Sequence, residues 1–390
     1  MPYTRERAEK SMARTAAMDA HRLLRRHLPS RLDLAVLDRV EQEIPGLNIG
    51  LVIGIGRVDV PSRGASSMPP GRSGMRSRRG PGRRRPVKVL VIGAGVIGTV
   101  YGAELGEAGN AVSVVAHGSR TEAIARSGLS SHEVLTGATA HSAAAVVADL
   151  GEDVFDVVLV SVRRDDLASV AAQLRQLRGR PLVVFFGNNP QGTAGLPDGL
   201  AGAVSMGFPG VGGTMADDVA QYVRIAQQPT ALDDCADTRL GELQSALQSR
   251  GFAVQRIADM SGWLAYHAVF VACVSSALYH CATDPQRLAV DRDELMLMCR
   301  AITQGFAALR NQHVRGLPRN LAVLHNRVMR PVAVRYWARS MRSPLGELAF
   351  AAHSRHAEAE MHAIAADVLA RFAGENTVPA VRELLSPRMT

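Results

Sequence analysis

Three glycines with the spacing Gly-x-Gly-x-x-Gly directly follow an apolar run of strand length, residues 88–92. In this spacing Gly93 permits a tight turn, and Gly95 lets the backbone approach a pyrophosphate. Gly98 lets the following helix pack closely against the strand. The first turn of that helix offers unpaired N–H groups and the positive end of the helix dipole to phosphate oxygens. The residue types and their spacing therefore predict a site for a dinucleotide.

The elements around the glycines support this prediction. A helical stretch over 99–109 follows them, and a second β-type run follows at 111–116. Strand, glycine turn, helix and strand within about thirty residues is the arrangement that dinucleotide-binding domains require. The alternative is an ordinary glycine-rich turn. The predicted cofactor-binding residues of the turn are Gly93, Ala94, Gly95, Val96, Ile97 and Gly98.

The end of the second β-type run indicates which dinucleotide is bound. An acidic residue at this place binds the ribose 2′-hydroxyl of NAD. Here the run continues into His117, and the first acidic residue, Glu122, lies beyond the turn. Arg120, assisted by His117 and Ser119, can meet a 2′-phosphate through charge-assisted hydrogen bonds of about 1.5–3 kcal/mol each. We therefore predict NADP(H) as the cofactor, and a solvated surface arginine is the alternative.

The chain alternates between β-type and helical runs as far as residue 240. The β-type runs lie at 88–92, 111–116, 157–162, 182–186, 203–206 and 222–226, with helical runs at 99–108 and 166–177. Beyond residue 240 the strand signal ends, and helical runs follow at 241–249, 259–280, 287–311, 318–340 and 346–373. This order predicts the α/β class: an N-terminal Rossmann-type doubly wound sheet and an all-α C-terminal domain, with the ligand cleft between them.

The formal net charge of +9 belongs to the N-terminal part of the chain. Residues 1–86 hold 18 Lys and Arg against 8 Asp and Glu, so they carry +10 and the remainder carries −1. Segment 61–86 contains 8 Arg, 5 Pro, 5 Gly and 5 Ser and no acidic or aromatic residue, which is typical of a disordered linker. We predict a basic, largely disordered extension at 1–86, an NADP-binding domain at 87–240 and a helical substrate or dimerisation domain at 241–390.

Composition also bears on partners and compartment. Within the extension, residues 33–44 have the spacing of a short amphipathic helix. Nucleic-acid binding by the arginines is disfavoured, because no aromatic residues are interleaved for base stacking. The chain has no run of eighteen apolar residues, so we predict no membrane span. The four cysteines, Cys235, Cys273, Cys281 and Cys299, form no C-x-x-C pair and are expected as buried thiols of a cytoplasmic protein.

Six motifs follow one another along the chain outside the extension. They are the glycine turn at 89–98, a strand at 157–163, a turn at 185–189, a Gly-rich stretch at 207–213, a late helix around 357–361 and a Thr-x-Pro element at 377–379. Over about residues 87–388 this series resembles the ketopantoate reductase (2-dehydropantoate 2-reductase) family. The resemblance implies a 6-phosphogluconate-dehydrogenase-like helical domain, NADPH as cofactor and reduction of the 2-oxo acid ketopantoate to pantoate.

Three positions take their expected roles from this resemblance. Asn188 matches an asparagine beside the nicotinamide, and Glu360 matches a glutamate of the substrate cleft. Arg163 takes the place of a lysine near the cofactor and can supply positive charge for a carboxylate or the nicotinamide ribose. A surface arginine is the alternative interpretation of Arg163.

One residue that the resemblance implies is absent. It is a lysine that protonates the new alkoxide, placed at the start of a helix just after a tryptophan and followed by two asparagines. The aligned positions after Trp263 hold Ala265, Val269 and Cys273. No shift of alignment restores the lysine, because Lys10 and Lys88 are the only lysines of the chain and Lys88 starts the first strand. A general acid contributes about 10²–10⁴ in rate, so its loss affects the chemistry.

His267 is the predicted replacement for this proton donor. It lies two residues beyond the lost lysine, and a modest helix rotation would turn His267 and Ser275 into the cleft. An imidazolium can donate the proton that an ammonium would have donated. Tyr266 is a weaker candidate, because its unperturbed pKa near 10 makes it a poor acid at neutral pH. A satisfied core histidine is an equal alternative for His267.

A cluster on the late helix invites a metal interpretation. It comprises His353, His356, Glu360 and His362, of which His356 and Glu360 share a helical face. The spacing lacks the His-Glu-x-x-His of a zinc protease, so we predict no metal and expect a solvated or cleft-facing helix. Glu360 is expected to orient the substrate through hydrogen bonds.

The sequence as a whole predicts an NADPH-dependent reductase of a 2-oxo acid or related carbonyl. The predicted catalytic residues are His267, Glu360 and Asn188, and the nicotinamide is expected beside Asn188. A catalytically inactive NADP(H)-binding sensor or interaction protein is the alternative, because the family lysine is missing. The long apolar helices at 259–280 and 287–311 favour a homodimer, although a buried domain core explains them equally well.

Overall fold

The computed structural model describes residues 85–148, 150, 153–200 and 202–386. The predicted helix at 33–44, nearly all of the extension at 1–86 and Lys10 lie outside these residues. Within them the chain forms an eight-stranded sheet and a four-stranded sheet, followed by a long helical region.

The strands and helices are numbered in chain order. The strands are β1 (Lys88–Ile92), β2 (Ala111–Val115), β3 (Leu129–Glu133), β4 (Thr139–Ser142), β5 (Ala145–Val146), β6 (Val157–Val160), β7 (Leu182–Phe186), β8 (Ala203–Phe208), β9 (Val211–Ala216), β10 (Val219–Arg224), β11 (Thr230–Asp233) and β12 (Val254–Ile257). The helices are α1 (Val96–Glu107), α2 (Ser119–Ser127), α3 (Leu167–Arg175), α4 (Thr238–Ser249), α5 (Met260–His280), α6 (Pro285–Val290), α7 (Arg292–Asn311), α8 (Arg319–Leu324), α9 (Arg330–Met341), α10 (Ala352–His356), α11 (Glu358–Arg371) and α12 (Pro379–Leu385). Two 3₁₀ turns, Arg164–Asp166 and Gly192–Gly195, and a π-helical turn, Gly346–Ala351, complete the described elements.

The large sheet has the strand order β12-β11-β8-β7-β6-β1-β2-β5. The strands from β5 to β8 in this order are parallel, whereas β11 is antiparallel to β8. Its central strand β1 pairs with β2 on one side and with β6 on the other, so the winding direction reverses between β1 and β6. Ligands bind outside the carboxyl ends of the strands at such a reversal. The predicted doubly wound α/β sheet is confirmed.

The sequence of β1 is apolar without alternation because both of its faces are covered. Val89 and Val91 belong to the apolar cluster that includes side chains of α1. Leu90 and Ile92 belong to a second cluster with side chains of α3. Successive side chains of a strand point to opposite faces, so a central strand between two helical layers needs apolar residues at every position.

Three expectations about the secondary structure, two for the sheets and one for the helices, are wrong. The run predicted at 222–226 to extend the large sheet is the end of β10, which pairs with β9 and β3 in the small sheet of order β4-β3-β10-β9. The strand signal was expected to end at residue 240, yet β12 pairs with β11 in the large sheet. The runs expected as helices over 287–311, 318–340 and 346–373 are each interrupted. In the first of these Asp291 ends α6 and caps α7, because its side chain accepts a hydrogen bond from the Glu294 amide.

The helical region is built around α5. By length and apolar composition α5 could cross a membrane, but 89% of its most apolar window is buried inside the protein. It packs against α7, α11 and α12. Cys273, Cys281 and Cys299 are buried in this region as free thiols, whereas Cys235 is only half-buried, contrary to the expectation for all four cysteines. An apolar surface on every side of α5 therefore forms the core of this region.

Candidate active site

The three motif glycines have separate structural roles. Gly93 has φ +100°, in the region that favours glycine, and a Cβ there would lie 2.9 Å from Val162 Cγ1. A Cβ on Gly98 would lie 1.9 Å from the Gly93 carbonyl oxygen, so this glycine permits the close contact of α1 with β1. A Cβ on Gly95 would meet no atom within 4 Å. The free space at Gly95 is where a ligand can approach the backbone.

The first turn of α1 fits a pyrophosphate. Gly95 is the N-cap residue of α1, no side chain caps the helix, and its first turn has no acidic residue. The first N–H groups of a helix have no intrahelical acceptor and favour anions. Gly95, Val96 and Ile97 line a large cavity, so these groups face the space in which a dinucleotide would lie.

This cavity, of about 400 Å³, lies between the sheet and the helical region. It is lined by the glycine turn, Arg163 and residues of β7, β8, β9, α5 and the segment 349–360. The predicted site residues that line it are Gly95, Val96, Ile97, Arg163, Asn188, His267 and Glu360. Their separation along the chain is large, and the fold brings them together at the carboxyl ends of the strands.

Asn188 and Glu360 are directly bonded across the cleft. Asn188 Nδ2 donates to Glu360 Oε1 at 3.3 Å, and Asn188 Oδ1 is buried without a hydrogen-bond partner among the described residues. A buried acceptor without a partner is unfavourable unless a ligand supplies a donor. Burial raises the pKa of Glu360, although the hydrogen bond from Asn188 and the charge of Arg163 oppose this shift. The pair thus offers an unused amide oxygen and a carboxyl group that holds its proton more tightly than usual.

His267 lies in the cavity wall among aromatic rings. Its ring is 4.0 Å from that of Phe208 and stacks on Trp263 at 5.1 Å, centroid to centroid. Burial, assisted by nearby His353, lowers the pKa of His267 to about 3. The predicted location is therefore found, but the predicted imidazolium is the wrong form, because an apolar environment disfavours the charged ring. A neutral imidazole still has one N–H that can donate a hydrogen bond.

The neighbouring candidates on α5 do not reach the cavity. Tyr266 donates to the Val314 carbonyl at 2.9 Å, on another side of the helix. Ser275 accepts from the Ser354 hydroxyl at 3.1 Å in a buried contact, so the expectation that it turns into the cleft with His267 is wrong. Ala265, Val269 and Cys273, the positions aligned with the missing lysine and asparagines, are buried in the helical core.

Lys88 also lies outside the site. It begins β1 and is exposed at the amino end of that strand, whereas the cavity opens at the carboxyl ends. Among the residues that the structure describes, no lysine therefore lies close to the cavity.

Two histidines of α10 belong to the candidate site. The sequence analysis considered these histidines only as possible metal ligands. His353 and His356 both line the cavity. Burial, with a smaller effect of Arg163, lowers the pKa of His353 to about 4. His362 does not line this cavity; it packs on Tyr279 at 5.0 Å between ring centroids and borders a neighbouring cleft with His356 and Glu360. Within the described ranges no group of His, Cys, Asp and Glu side chains could hold a metal ion.

The residues predicted to choose the cofactor do not line this cavity. His117 is exposed. Arg120 Nη1 donates to Asp218 Oδ1 at 2.8 Å, and its Nη2 donates to Thr99 Oγ1 at 3.2 Å. Asp218 belongs to the tight β9–β10 turn and has φ +65°. Arg120 thus lies beside the first turn of α1, but a carboxylate from a distant part of the chain is its partner.

A family model described as Ketopantoate reductase PanE/ApbA matches residues 89–197, which include the glycine turn and Asn188. Over this segment the predicted resemblance to the ketopantoate reductase family is confirmed. No curated protein sequence matches this chain. The matched segment contains the predicted cofactor-binding residues of the glycine turn but not His267 or Glu360.

Solved structures of ketopantoate reductases have a similar fold. The PanE/ApbA family enzyme from Ralstonia eutropha JMP134 has a TM-score of 0.61 and 21% identity, over 76% of this chain and 96% of that chain. The dimeric ketopantoate reductase from Staphylococcus aureus has a TM-score of 0.56 and 15% identity, over 77% and 96%. A D-mandelate dehydrogenase solved with NADH and anilino(oxo)acetate has a TM-score of 0.55 and 12% identity, over 76% and 96%. These likenesses show a shared fold: a Rossmann-like domain followed by a helical domain.

The structure adds cavity residues that were not among the predicted site residues. Phe208 ends β8, and Phe350 lies in the π-helical turn. A Cβ on Gly212 of β9 would lie 2.5 Å from Ala349 Cα, so the glycine allows this turn to close against the small sheet. A π-helical turn inside helices is often found at functional sites. The Gly-rich stretch at 207–213 was the available sequence signal for this close approach.

Proposed function

We propose that the protein is an NADPH-dependent reductase of a 2-oxo acid or a related carbonyl compound, similar in chemistry to 2-dehydropantoate 2-reductase. The observation that carries the proposal is the shared cavity of Gly95, Asn188, His267 and Glu360. The family match at 89–197 supports a nicotinamide dinucleotide as the cofactor and a C=O or CH–OH group as its target. The identity of the cofactor as NADPH and of the substrate as a 2-oxo acid are the more specific parts of this proposal.

The chain holds the cofactor through groups that the fold leaves available. The N–H groups at the start of α1 bind the pyrophosphate, and Arg120 meets a 2′-phosphate once it exchanges its bond to Asp218. Asn188 Oδ1 accepts a hydrogen bond from a carboxamide or hydroxyl group, which removes the penalty of its buried state. When bound, the reduced nicotinamide supplies the hydride for the carbonyl carbon and is oxidised.

Three polar side chains of the cavity bind the substrate and supply the proton. Arg163 attracts the carboxylate of a 2-oxo acid, and neutral His267 donates a hydrogen bond to the carbonyl oxygen. The Glu360 carboxyl group, whose pKa is raised by burial, donates the proton that converts the reduced C–O group to a hydroxyl. A second cleft of about 460 Å³ adjoins Glu360 and is lined by His356, Glu358 and other polar residues, so solvent can return the proton.

Substitution of His267 tests the assignment of the site. His267→Ala removes one hydrogen-bond donor to developing negative charge, which lowers kcat by about 10²–10³ and leaves the Kd for NADPH nearly unchanged. Stopped-flow NADPH oxidation and equilibrium titration measure these two quantities. Tyr266→Phe is the matched control, because Tyr266 precedes His267 on α5 and its hydroxyl is bonded outside the cavity. Equal kcat for His267→Ala and the unmodified chain would remove His267 from the mechanism.

A nucleotide-binding protein without reductase activity is the second candidate. It is favoured by one observation, the apolar side chains at Ala265, Val269 and Cys273, where the family resemblance implies a lysine and two asparagines. This candidate predicts tight NADPH binding and no substrate-dependent oxidation. Turnover of any 2-oxo acid at a rate that depends on Glu360 would exclude it.

We also propose that the protein forms a homodimer. The similar reductase from Staphylococcus aureus is described as dimeric. Val290 and Val328 are 71% and 61% exposed, which leaves apolar side chains of the helical region at the surface. Light scattering coupled to size-exclusion chromatography distinguishes a dimer from a monomer of 41.7 kDa.

A further inference from the structure

A third cavity, of about 80 Å³, lies beside the candidate active site and is called the side cavity. Five residues border both cavities: Ile225, Gln228, His267, Phe270 and Phe350. One of them, His267, is the group proposed to bond the carbonyl oxygen. A substituent on the carbonyl carbon is therefore next to this side cavity when the oxygen is at His267.

The inner wall of the side cavity is apolar and largely aromatic. Trp337 packs on Phe270 at 5.5 Å and on Phe350 at 5.7 Å between ring centroids. Trp263 and Leu324, which are both buried, complete this part of the wall. These side chains offer dispersion contacts and exclude water, and they offer a hydroxyl group no acceptor.

Two of the polar side chains that line the side cavity already have partners. Asn320 Nδ2 donates to the Gln227 carbonyl at 2.6 Å, and Asn320 Oδ1 accepts from the Leu321 amide at 2.9 Å. Gln228 Nε2 donates to the Pro209 carbonyl at 3.1 Å. A substrate hydroxyl placed against the aromatic part of the wall would lose bonds to water that these rings do not replace, which is unfavourable.

We propose that the substrate of this site has a branched, hydroxyl-free alkyl group on its carbonyl carbon, and that this group enters the side cavity. The inference rests on the proposed reductase function and narrows its substrate class to apolar 2-oxo acids. A cavity of about 80 Å³ suits a branched alkyl chain better than an aromatic ring, because benzene occupies engineered cavities of about 150 Å³. Ketopantoate, which has a hydroxyl group on its branched chain, fits this space less well.

A comparison of four substrates with the full chain and NADPH tests the inference. The compounds are 4-methyl-2-oxopentanoate, 3,3-dimethyl-2-oxobutanoate, ketopantoate and 2-oxobutanoate. The second differs from ketopantoate only by the missing hydroxyl. One methylene in an apolar pocket changes kcat/KM by about ten- to two-hundredfold, so we expect 4-methyl-2-oxopentanoate to exceed 2-oxobutanoate by at least tenfold. We likewise expect 3,3-dimethyl-2-oxobutanoate to exceed ketopantoate.

A variant of the side cavity connects the preference to its structural cause. Leu321 is half-buried on α8 and borders the side cavity but not the larger one. Leu321→Trp fills the space and should lower kcat/KM for 4-methyl-2-oxopentanoate at least tenfold, with 2-oxobutanoate nearly unchanged. Leu321→Ala, the matched enlargement, should retain both activities. Turnover of 2-oxobutanoate shows that each variant is folded.

The outcomes separate this inference from the proposed function. If ketopantoate is reduced as well as or better than the two hydroxyl-free branched acids, the inference is overturned and the reductase function stands. If Leu321→Trp lowers the rates for all substrates equally, the side cavity does not hold the alkyl group. If NADPH binds but none of the four compounds is reduced, the proposed function fails and the inference fails with it.

Discussion

Gly95→Ala should weaken dinucleotide binding without weakening the fold. A methyl group at this position meets no atom within 4 Å, and the backbone angles, φ −75° and ψ −167°, are open to any residue. The folded chain therefore accommodates alanine without strain. Alanine reduces the freedom of the unfolded chain by about 0.4–1 kcal/mol, but it is less favourable than glycine at an N-cap, so the free energy of unfolding should change by less than about 1 kcal/mol.

The same methyl group occupies the space through which a pyrophosphate reaches the N–H groups of α1. Loss of one charge-assisted hydrogen bond costs about 1.5–3 kcal/mol, which raises Kd by about ten- to a hundredfold. Calorimetric titration with NADPH measures Kd, and urea unfolding followed by circular dichroism measures stability. In this variant the Kd for NADPH should rise while the free energy of unfolding stays nearly unchanged.

Two other glycines provide the controls. Gly241 lies in α4, and a Cβ there also meets no atom within 4 Å, so Gly241→Ala should gain about 1 kcal/mol of stability and keep its NADPH affinity. Gly98→Ala places a Cβ 1.9 Å from a backbone oxygen, which should cost about 1–3 kcal/mol of stability or more. NADPH binding by Gly95→Ala as tight as by the unmodified chain would refute the assignment of the pyrophosphate to this turn.

Three further perturbations have expected outcomes. Asp218→Asn frees Arg120, so the affinity for NADPH relative to NADH should rise about three- to tenfold in paired titrations, and an unchanged ratio would contradict the role of Arg120. Glu360→Gln should lower kcat by about 10²–10⁴ and remove the fall of kcat with rising pH, because the protonated carboxyl group is the donor; a retained alkaline limb would assign it to another group. His325 is buried with a pKa of about 3, so its unfolded form binds a proton below pH 6.5 and stability falls from there toward pH 3. His325→Gln should reduce the loss of stability between pH 7 and pH 5 by about 2 kcal/mol in urea titrations, and an equal loss in both proteins would contradict the neutral state of His325.

Much of the large sheet could be predicted because its central strands β1, β6 and β7 are apolar at nearly every position and the glycine turn marks the first strand–helix unit. The small sheet could not. β3 has Ser131 and Glu133 at buried positions, so its sequence does not show an apolar alternation. Glu133 tolerates burial because its carboxylate accepts from the Thr136 and Leu135 amides, at 2.7 and 3.3 Å. These hydrogen bonds from the following turn offset the cost of burying the carboxylate, and the sequence alone does not reveal them.

The residues of the candidate site could be predicted where they belong to a motif. They could not be predicted where tertiary packing determines their position or charge state. Asn188 and Glu360 occupy motif positions, and the structure brings them into contact. His267 was uncertain because α5 is apolar on every side, so periodicity does not indicate which face meets the cavity. Its charge state could not be predicted, since the neighbouring rings of Phe208 and Trp263 come from the fold and lower its pKa. The sequence did not indicate Asp218 as the partner of Arg120, because the fold of the β9–β10 turn brings the two residues together.

The most direct test of the reductase function is NADPH oxidation by the full chain in the presence of 2-oxo acids, with the product identified by mass spectrometry. The account predicts that NADPH and the 2-oxo acid are consumed in equal amounts and that the corresponding 2-hydroxy acid forms. It predicts further that Glu360→Gln abolishes most of this activity while NADPH still binds. Tight NADPH binding without consumption of any 2-oxo acid would contradict the account and favour a nucleotide-binding protein without catalysis.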